Sequence, residues 1–185
     1  MRLLFLIFLL ASCASQPPAH LYSLDLPVET NQVASLLPAT ISVGRPTVQP
    51  GYDTAMMAYQ MRPHEIDYFS RNRWVDTPGR MLYPILIDVL SHQFATVARA
   101  PSRGAMRLDT DIVLFRQEFS GDSSRIHIVL RARINREGKV FSRSFEIFEN
   151  CPSNAPYGGV IAANQAVSRL AQEISDFAVS AAKAY

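Results

Sequence analysis

Arg125-Ile126-His127-Ile128-Val129-Leu130-Arg131-Ala132-Arg133-Ile134-Asn135-Arg136-Glu137-Gly138 alternates apolar and polar residues until it reaches a turn former. Ile126, Ile128, Leu130, Ala132 and Ile134 fall on one side of an extended chain. Arg125, His127, Arg131 and Arg133 fall on the other. A period of two marks a strand with one buried and one wet face. Asn135-Arg136-Glu137-Gly138 closes a tight hairpin, so the chain returns along Lys139 to Phe148. Upstream, Met106, Leu108, Thr110, Ile112 and Leu114 form one face of another long strand, and Gly121-Asp122-Ser123 turns it into the next. Together these stretches predict an antiparallel meander with a basic outer face.

The buried face needs helices to cover it, and two amphipathic stretches supply them. Thr77-Pro78-Gly79-Arg80 reads as a helix start, with Pro at the first helical position. Met81, Leu82, Ile85, Leu86, Val89, Leu90 and Phe94 follow at helical spacing. Pro84 is tolerated if the helix begins near Arg80, and otherwise kinks the first turns. Pro101-Ser102-Arg103-Gly104 ends this unit. The second stretch carries Val160, Ala163, Val167, Leu170, Ala171, Ile174, Phe177, Ala178 and Ala181 at a period of 3.6.

Shorter elements precede them. Tyr22 to Leu26 alternates up to Pro27 and reads as a first strand, followed by a loop through Thr30 and Asn31. Ala39 to Gly44 is a second strand, and Val48 to Asp53 a turn. Met56 to Met61 and Ile66 to Phe69 flank Arg62-Pro63-His64-Glu65 as a hairpin. The expected fold is α+β: one domain over residues 21–185, an antiparallel sheet with two main helices packed against it.

The amino terminus has a different character. Met1-Arg2 leads into the uncharged run Leu3 to Leu10, a positive start and an apolar segment too short to span a bilayer. The run ends in Leu10-Ala11-Ser12-Cys13, which resembles the bacterial lipobox. That resemblance implies a signal peptide over residues 1–12, cleavage before Cys13, and diacylglycerol on the Cys13 thiol. An ordinary signal peptide with a chance cysteine is the alternative. Acyl chains, at about 0.8 kcal/mol per buried CH₂, would hold the protein at a membrane without a spanning helix. Residues 13–20, polar and proline-bearing, read as a tether. Ala14 stands after Cys13 where Asp would signal retention, which resembles an outer-membrane address with the domain facing the periplasm.

Charge and chemistry narrow the function. The formal charge is +2, and Arg2 would leave with the signal, so nothing argues for nucleic acid. Cys151 would be left as an unpaired thiol without a local base, which reads as buried or idle. His20, His64, His92 and His127 show no metal-binding spacing, and neither metal nor cofactor is expected. There is no Gly-x-Ser-x-Gly elbow. Gly158-Gly159 opens a helix without the lysine of a phosphate loop. If nucleotide hydrolysis is involved, another subunit performs it.

Several motifs then carry a family resemblance. Tyr22-x-Leu24, Ile41-x-Val43, Tyr52-Asp53 with Tyr59, Glu65-Ile66-x-Tyr68 and Arg73-Trp74-Val75-Asp76-x-Pro78-x-x-Met81-Leu82 follow the lipobox in order. With the closing Ala162-Ala163-Asn164-Gln165-Ala166, the pattern resembles the ABC-type transport auxiliary lipoprotein family. The resemblance implies a non-enzymatic subunit working beside a mammalian-cell-entry (MCE) domain protein and an inner-membrane permease or ATPase. The cargo it implies is phospholipid or another hydrophobic compound. The family carries no catalytic residues over. Tyr52, Asp53, Tyr59 and Trp74 match its pattern, and a single Trp before a helix reads as a core anchor.

Arg125, His127, Arg131 and Arg133, joined by Arg143, form the surface with a functional reading. They could meet an acidic partner or lipid head groups. The plain alternative is a solvated sheet face that discourages edge pairing. Val129 interrupts the polar row, as partial cover by a partner or by another copy of the chain would explain. Two other classes stay open: an assembly or pilot lipoprotein, and a lipid- or wall-processing enzyme. The second lacks an acid, base and nucleophile set in the sequence.

Overall fold

The alternation that opens the sequence argument is realised in strand β8 (Ser123–Arg136). Its apolar row, Ile126 to Ile134, is at most 3% exposed at every second position. The computed structural model describes residues 18–25, 36–102 and 104–184. On one side β8 pairs antiparallel with β7 (Met106–Ser120), and on the other with β9 (Lys139–Asn150). Glu137 (φ 48°) and Gly138 (φ 85°) both occupy the left-handed region in the β8–β9 turn. That geometry matches the right-handed twist of the flanking strands, and glycine reaches it without strain.

One strand departs from simple alternation. The β7–β8 register shifts between Ile112 and Leu114. The bulge keeps Met106, Leu108, Thr110 and Ile112 on the core face, but Phe115 and Gln117 replace Leu114 there. Leu114 turns outward opposite Val129, which corrects the expected face of β7.

The second correction concerns the sheet, which is mixed. Along its other side β7 pairs in parallel with three successive strands: β2 (Leu37–Val43), β3 (Thr47–Val48) and β4 (Met56–Gln60). β5 (Asp67–Trp74) is antiparallel to β4, completing the expected hairpin. Short β1 (His20–Tyr22) is parallel to β5 at that edge, and β6 (Phe94–Ala98) is parallel to β2. Hairpin turns guarantee antiparallel neighbours, whereas strands joined through a helix return in the same direction. Helix α1 (Pro78–Ser91) directly joins β5 to β6 and forms part of the long crossover that brings the chain back parallel to β2.

Helix α1 carries Pro at its start and Pro84 inside. It stops at Ser91, so Phe94 belongs to β6 and not to the helix face where its spacing placed it. The first strand lies earlier than expected, over His20–Tyr22, so it takes His20 from the expected tether and shares only Tyr22 with the expected stretch. Leu26, Pro27, the loop at Thr30 and Asn31, and Arg103 lie outside the described residues.

Helix α2 (Pro156–Lys183) lies on β8 and β9 and against α1. Ala162, Ala163, Ala166, Ala171 and Ala178 are essentially inaccessible, and their small side chains let the helix sit close to the sheet. Gly159 does the same at its first turn, and Gly158 leaves room for the preceding loop. A Cβ on Gly158 would stand 2.2 Å from the Ser153 carbonyl, and one on Gly159 would stand 2.3 Å from Oε1 of Gln117. Asn164 on α2 fastens the incoming chain: its Oδ1 accepts from the Asp25 N–H at 2.7 Å, and its Nδ2 donates to the Ser23 carbonyl at 3.3 Å. Burying each Ile or Leu of the β8 row stabilises by about 1.5–3 kcal/mol. Against the roughly 5–15 kcal/mol net stability of a domain, the loss of any one of them is a large perturbation.

Candidate functional site

Both helices cover one face of the sheet, which leaves the opposite face of β7, β8 and β9 open. Cross-strand register fills it with polar rows. Arg125, His127, Arg131 and Arg133 on β8 lie opposite Glu118, Arg116, Asp111 and Asp109 on β7. On β9 their neighbours are Asn150, Phe148, Ser144 and Ser142. Arg143 pairs with Ala132, a core-face residue, and its guanidinium lies 5.0 Å from the Phe145 ring centroid. Its backbone position is on the helix side, yet it lines the same groove as Arg131 and Arg133.

The open face has two dissimilar halves. In the first, Glu118 gathers three cations or donors. Its carboxylate accepts from Arg116 at 2.8 Å and from Arg125 at 3.0 Å, and lies 2.8 Å from Nδ1 of His127. Nε2 of His127 lies 2.9 Å from Glu146, and only the imidazolium can donate both bonds. The imidazole stacks on Phe148 with centroids 4.2 Å apart, and the Arg125 guanidinium lies 4.2 Å from the same ring. Partial burial pushes the Glu118 carboxyl up, but hydrogen bonds from His127, Arg116 and Arg125 outweigh it and hold it at about 2. Arg125 and His127 thus have their polar partners inside the molecule.

The second half is different. Arg131 and Arg133 are exposed and have no ion-pair partner among the described residues. Of the nearby carboxylates, Asp109 is paired with Arg107 at 2.8 Å, while Asp111 accepts from the Thr47 hydroxyl at 2.8 Å and keeps its charge opposite Arg131. With Arg45, Thr47, Ser142 and Ser144, these residues line an open groove of about 680 Å³. Two solvated guanidiniums beside two hydroxyls present donors to a carboxylate or phosphate. The Val129–Leu114 pair separates the halves, so the bulge explains the apolar break in the row without an outside partner.

The other singled-out residues take structural places. Trp74 is buried with its ring 5.6 Å from that of Phe115, as a core anchor should be. Tyr52 is buried, and its hydroxyl receives Arg116 at 3.4 Å. Tyr59 joins Phe69 and Phe119 in an aromatic cluster. Asp53 is exposed in the turn after Tyr52. His64 sits in the β4–β5 turn at φ 67°, His92 ends α1, and His20 stacks on Tyr22. Cys151 is half-buried, its N–H bonded to the Ser124 carbonyl; burial pushes the thiol up, more than a hydrogen bond with Ser124 lowers it. Among the described residues no cluster of His, Cys, Asp or Glu could hold a metal ion, and no helix is long and apolar enough to cross a membrane. Cys13 lies outside the described residues.

Glu118 and Glu146 were missed by the sequence reading, although one signal was present. Counting back through the Gly121-Asp122 turn places Glu118 opposite Arg125. Glu146 requires the second hairpin register as well, which the chain reaches only through the Glu137-Gly138 turn.

A two-layer domain, with helices on one side of a mixed sheet and an open polar face on the other, is the class of molecule these elements define. Residues 22–175 match the family described as the ABC-type transport auxiliary lipoprotein component, and the chain belongs to that family. It is an auxiliary lipoprotein of an ABC-type transport system, associated with an envelope membrane. Comparison with curated proteins gave no match. Solved structures share the fold. A Xanthomonas campestris protein of family DUF330 superposes with a TM-score of 0.74 at 19% identity, over 83% of this chain and 91% of that one. A second, described only as an uncharacterized protein, gives 0.72 at 15%, over 86% and 98%. A hypothetical protein from Chlamydia trachomatis gives 0.53 at 8%, over 80% and 100%.

Proposed function

We propose that this lipoprotein is a non-enzymatic subunit, anchored in the outer membrane through acylated Cys13 and facing the periplasm. It works beside an MCE-domain protein and an inner-membrane ABC permease or ATPase, in a system that moves phospholipid or another hydrophobic compound across the envelope. The observation that carries this reading is the asymmetry of the open sheet face. Arg125 and His127 are consumed by Glu118 and Glu146, whereas Arg131 and Arg133 are left available in a groove. A docking subunit needs such a surface, and an acidic segment of a partner fits it by charge. The non-enzymatic reading is supported by the chemistry of the polar residues. The densest acid–base set, Glu118, His127 and Glu146, is closed on itself by Arg116 and Arg125. The anchor reading is supported by Leu10-Ala11-Ser12-Cys13.

Crosslinking the mature lipidated protein in envelope membranes, followed by affinity capture and mass spectrometry, tests the assignment. Recovery of an MCE-type protein or an ABC permease is the expected result. Recovery of a secretion or pilus component without any transporter subunit would overturn it and favour the assembly or pilot role.

A further inference from the structure

We propose that the β1 edge of the sheet, with the start of α2 behind it, is a membrane-contacting surface, and that the occupant is the bilayer to which the chain is anchored. The inference rests on the lipoprotein anchor at Cys13. Exposed apolar side chains gather at this edge: Leu21 is 63% exposed, Val75 56%, Tyr157 58% and Ile161 36%. Register and contacts place them at the same edge, Leu21 and Val75 on the open face and Tyr157 and Ile161 on the helix face. Leu21 lies beside Arg73, and Val75, two residues on, donates its N–H to the Tyr22 carbonyl at 2.8 Å. On the helix side the Tyr22 ring lies 5.9 Å from that of Tyr157, with Ile161 one turn further along α2. Scattered surface apolar residues need no explanation, but a group that flanks one edge from both faces does.

The position of the group identifies what covers it. β1 is where the chain enters the domain, and only seven peptide units separate Cys13 from His20. Their reach is at most about 25 Å, less than the roughly 40 Å breadth expected of a domain this size. The Asn164 bonds to Ser23 and Asp25 lock the segment just after β1 onto α2. The edge therefore cannot swing away from the side on which the anchor sits. Aliphatic side chains with tyrosines suit the interfacial layer, where an aromatic ring buries its body and keeps its hydroxyl wet. Exposed Arg73, beside Leu21, is placed to meet lipid phosphate.

Environment-sensitive labels test the proposal on the mature lipidated protein. Single-cysteine variants Leu21→Cys, Val75→Cys and Tyr157→Cys, with Ser142→Cys as a control on the open sheet face, are prepared on a Cys151→Ser background. Each is labelled with a nitrobenzoxadiazole fluorophore and bound to vesicles of phosphatidylethanolamine and phosphatidylglycerol. The expected result is blue-shifted emission at the three edge positions, quenched by spin-labelled lipid, with water-like emission at position 142. Water-like emission at all four positions, while the protein floats with the vesicles, would overturn the membrane-contact proposal and leave the anchor standing. Failure to float, with an unacylated amino-terminal peptide in the mass spectrum, would instead overturn the anchor and the proposal with it.

Discussion

Nδ1 of His127 lies 2.8 Å from the Glu118 carboxylate that also holds Arg116 and Arg125, so half of a basic strand face is tied into one ionic cluster with Glu118 and Glu146. A row that looks uniformly cationic in sequence is in fact divided between a closed ionic cluster and an open groove.

The cluster makes stability depend on acid. The Glu118 carboxyl is held at about 2, below its ordinary 4.5, so its contribution is complete above pH 4.5 and fades as pH falls toward 2. Discounted for solvent screening at this partly exposed site, that gap corresponds to about 1–2 kcal/mol at neutral pH. Urea denaturation of the wild type should therefore weaken steadily between pH 5 and about 2. Glu118→Gln should be less stable at pH 7 by about 1–2 kcal/mol and show a flatter dependence over that window. Parallel curves for the two proteins would contradict the cluster's role.

Gly158 should not accept even one methyl group. Alanine favours a helix over glycine by about 1 kcal/mol, which by itself predicts stabilisation by Gly158→Ala. The added Cβ would stand 2.2 Å from a backbone carbonyl, that of Ser153, which cannot rotate away. Overpacking of this kind costs about 1–3 kcal/mol and should win. Thermal melting would show a lowered Tm; a raised one would mean the 151–155 connection yields freely.

Burial raises the Cys151 thiol above its ordinary value, so little thiolate is present near neutrality. Reaction with Ellman's reagent should be at least about tenfold slower in the folded protein than in denaturant. Equal rates would show an accessible, ionised thiol.

Much of this architecture was legible because local rules governed it. The β8 row, the Glu137-Gly138 turn, the β4–β5 hairpin and both helices follow from periodicity and turn chemistry within short windows. What escaped the sequence depends on register between distant segments. Val43 beside Leu108, or Tyr59 beside Gln117, leaves no periodic trace, so the parallel half of the sheet was invisible. The bulge at Leu114 shifts the phase of β7 without any glycine or proline to announce it. Phe94 continued a helical spacing that the chain had already abandoned at Ser91. The basic row was legible residue by residue, but its electrostatics were not, because Glu118 and Glu146 arrive from two other strands.

The division of that row makes the central claim testable in one comparison. Arg131→Glu/Arg133→Glu reverses charge only in the open groove, whereas Arg125→Gln alters a guanidinium already committed to Glu118. Crosslinked capture of an MCE-type or permease partner, quantified from envelope membranes, should fall by about tenfold or more for the double variant. It should stay near wild type for Arg125→Gln. Equal capture by all three proteins, with equal amounts folded and membrane-bound, would contradict the assignment of the Arg131–Arg133 groove as the docking surface.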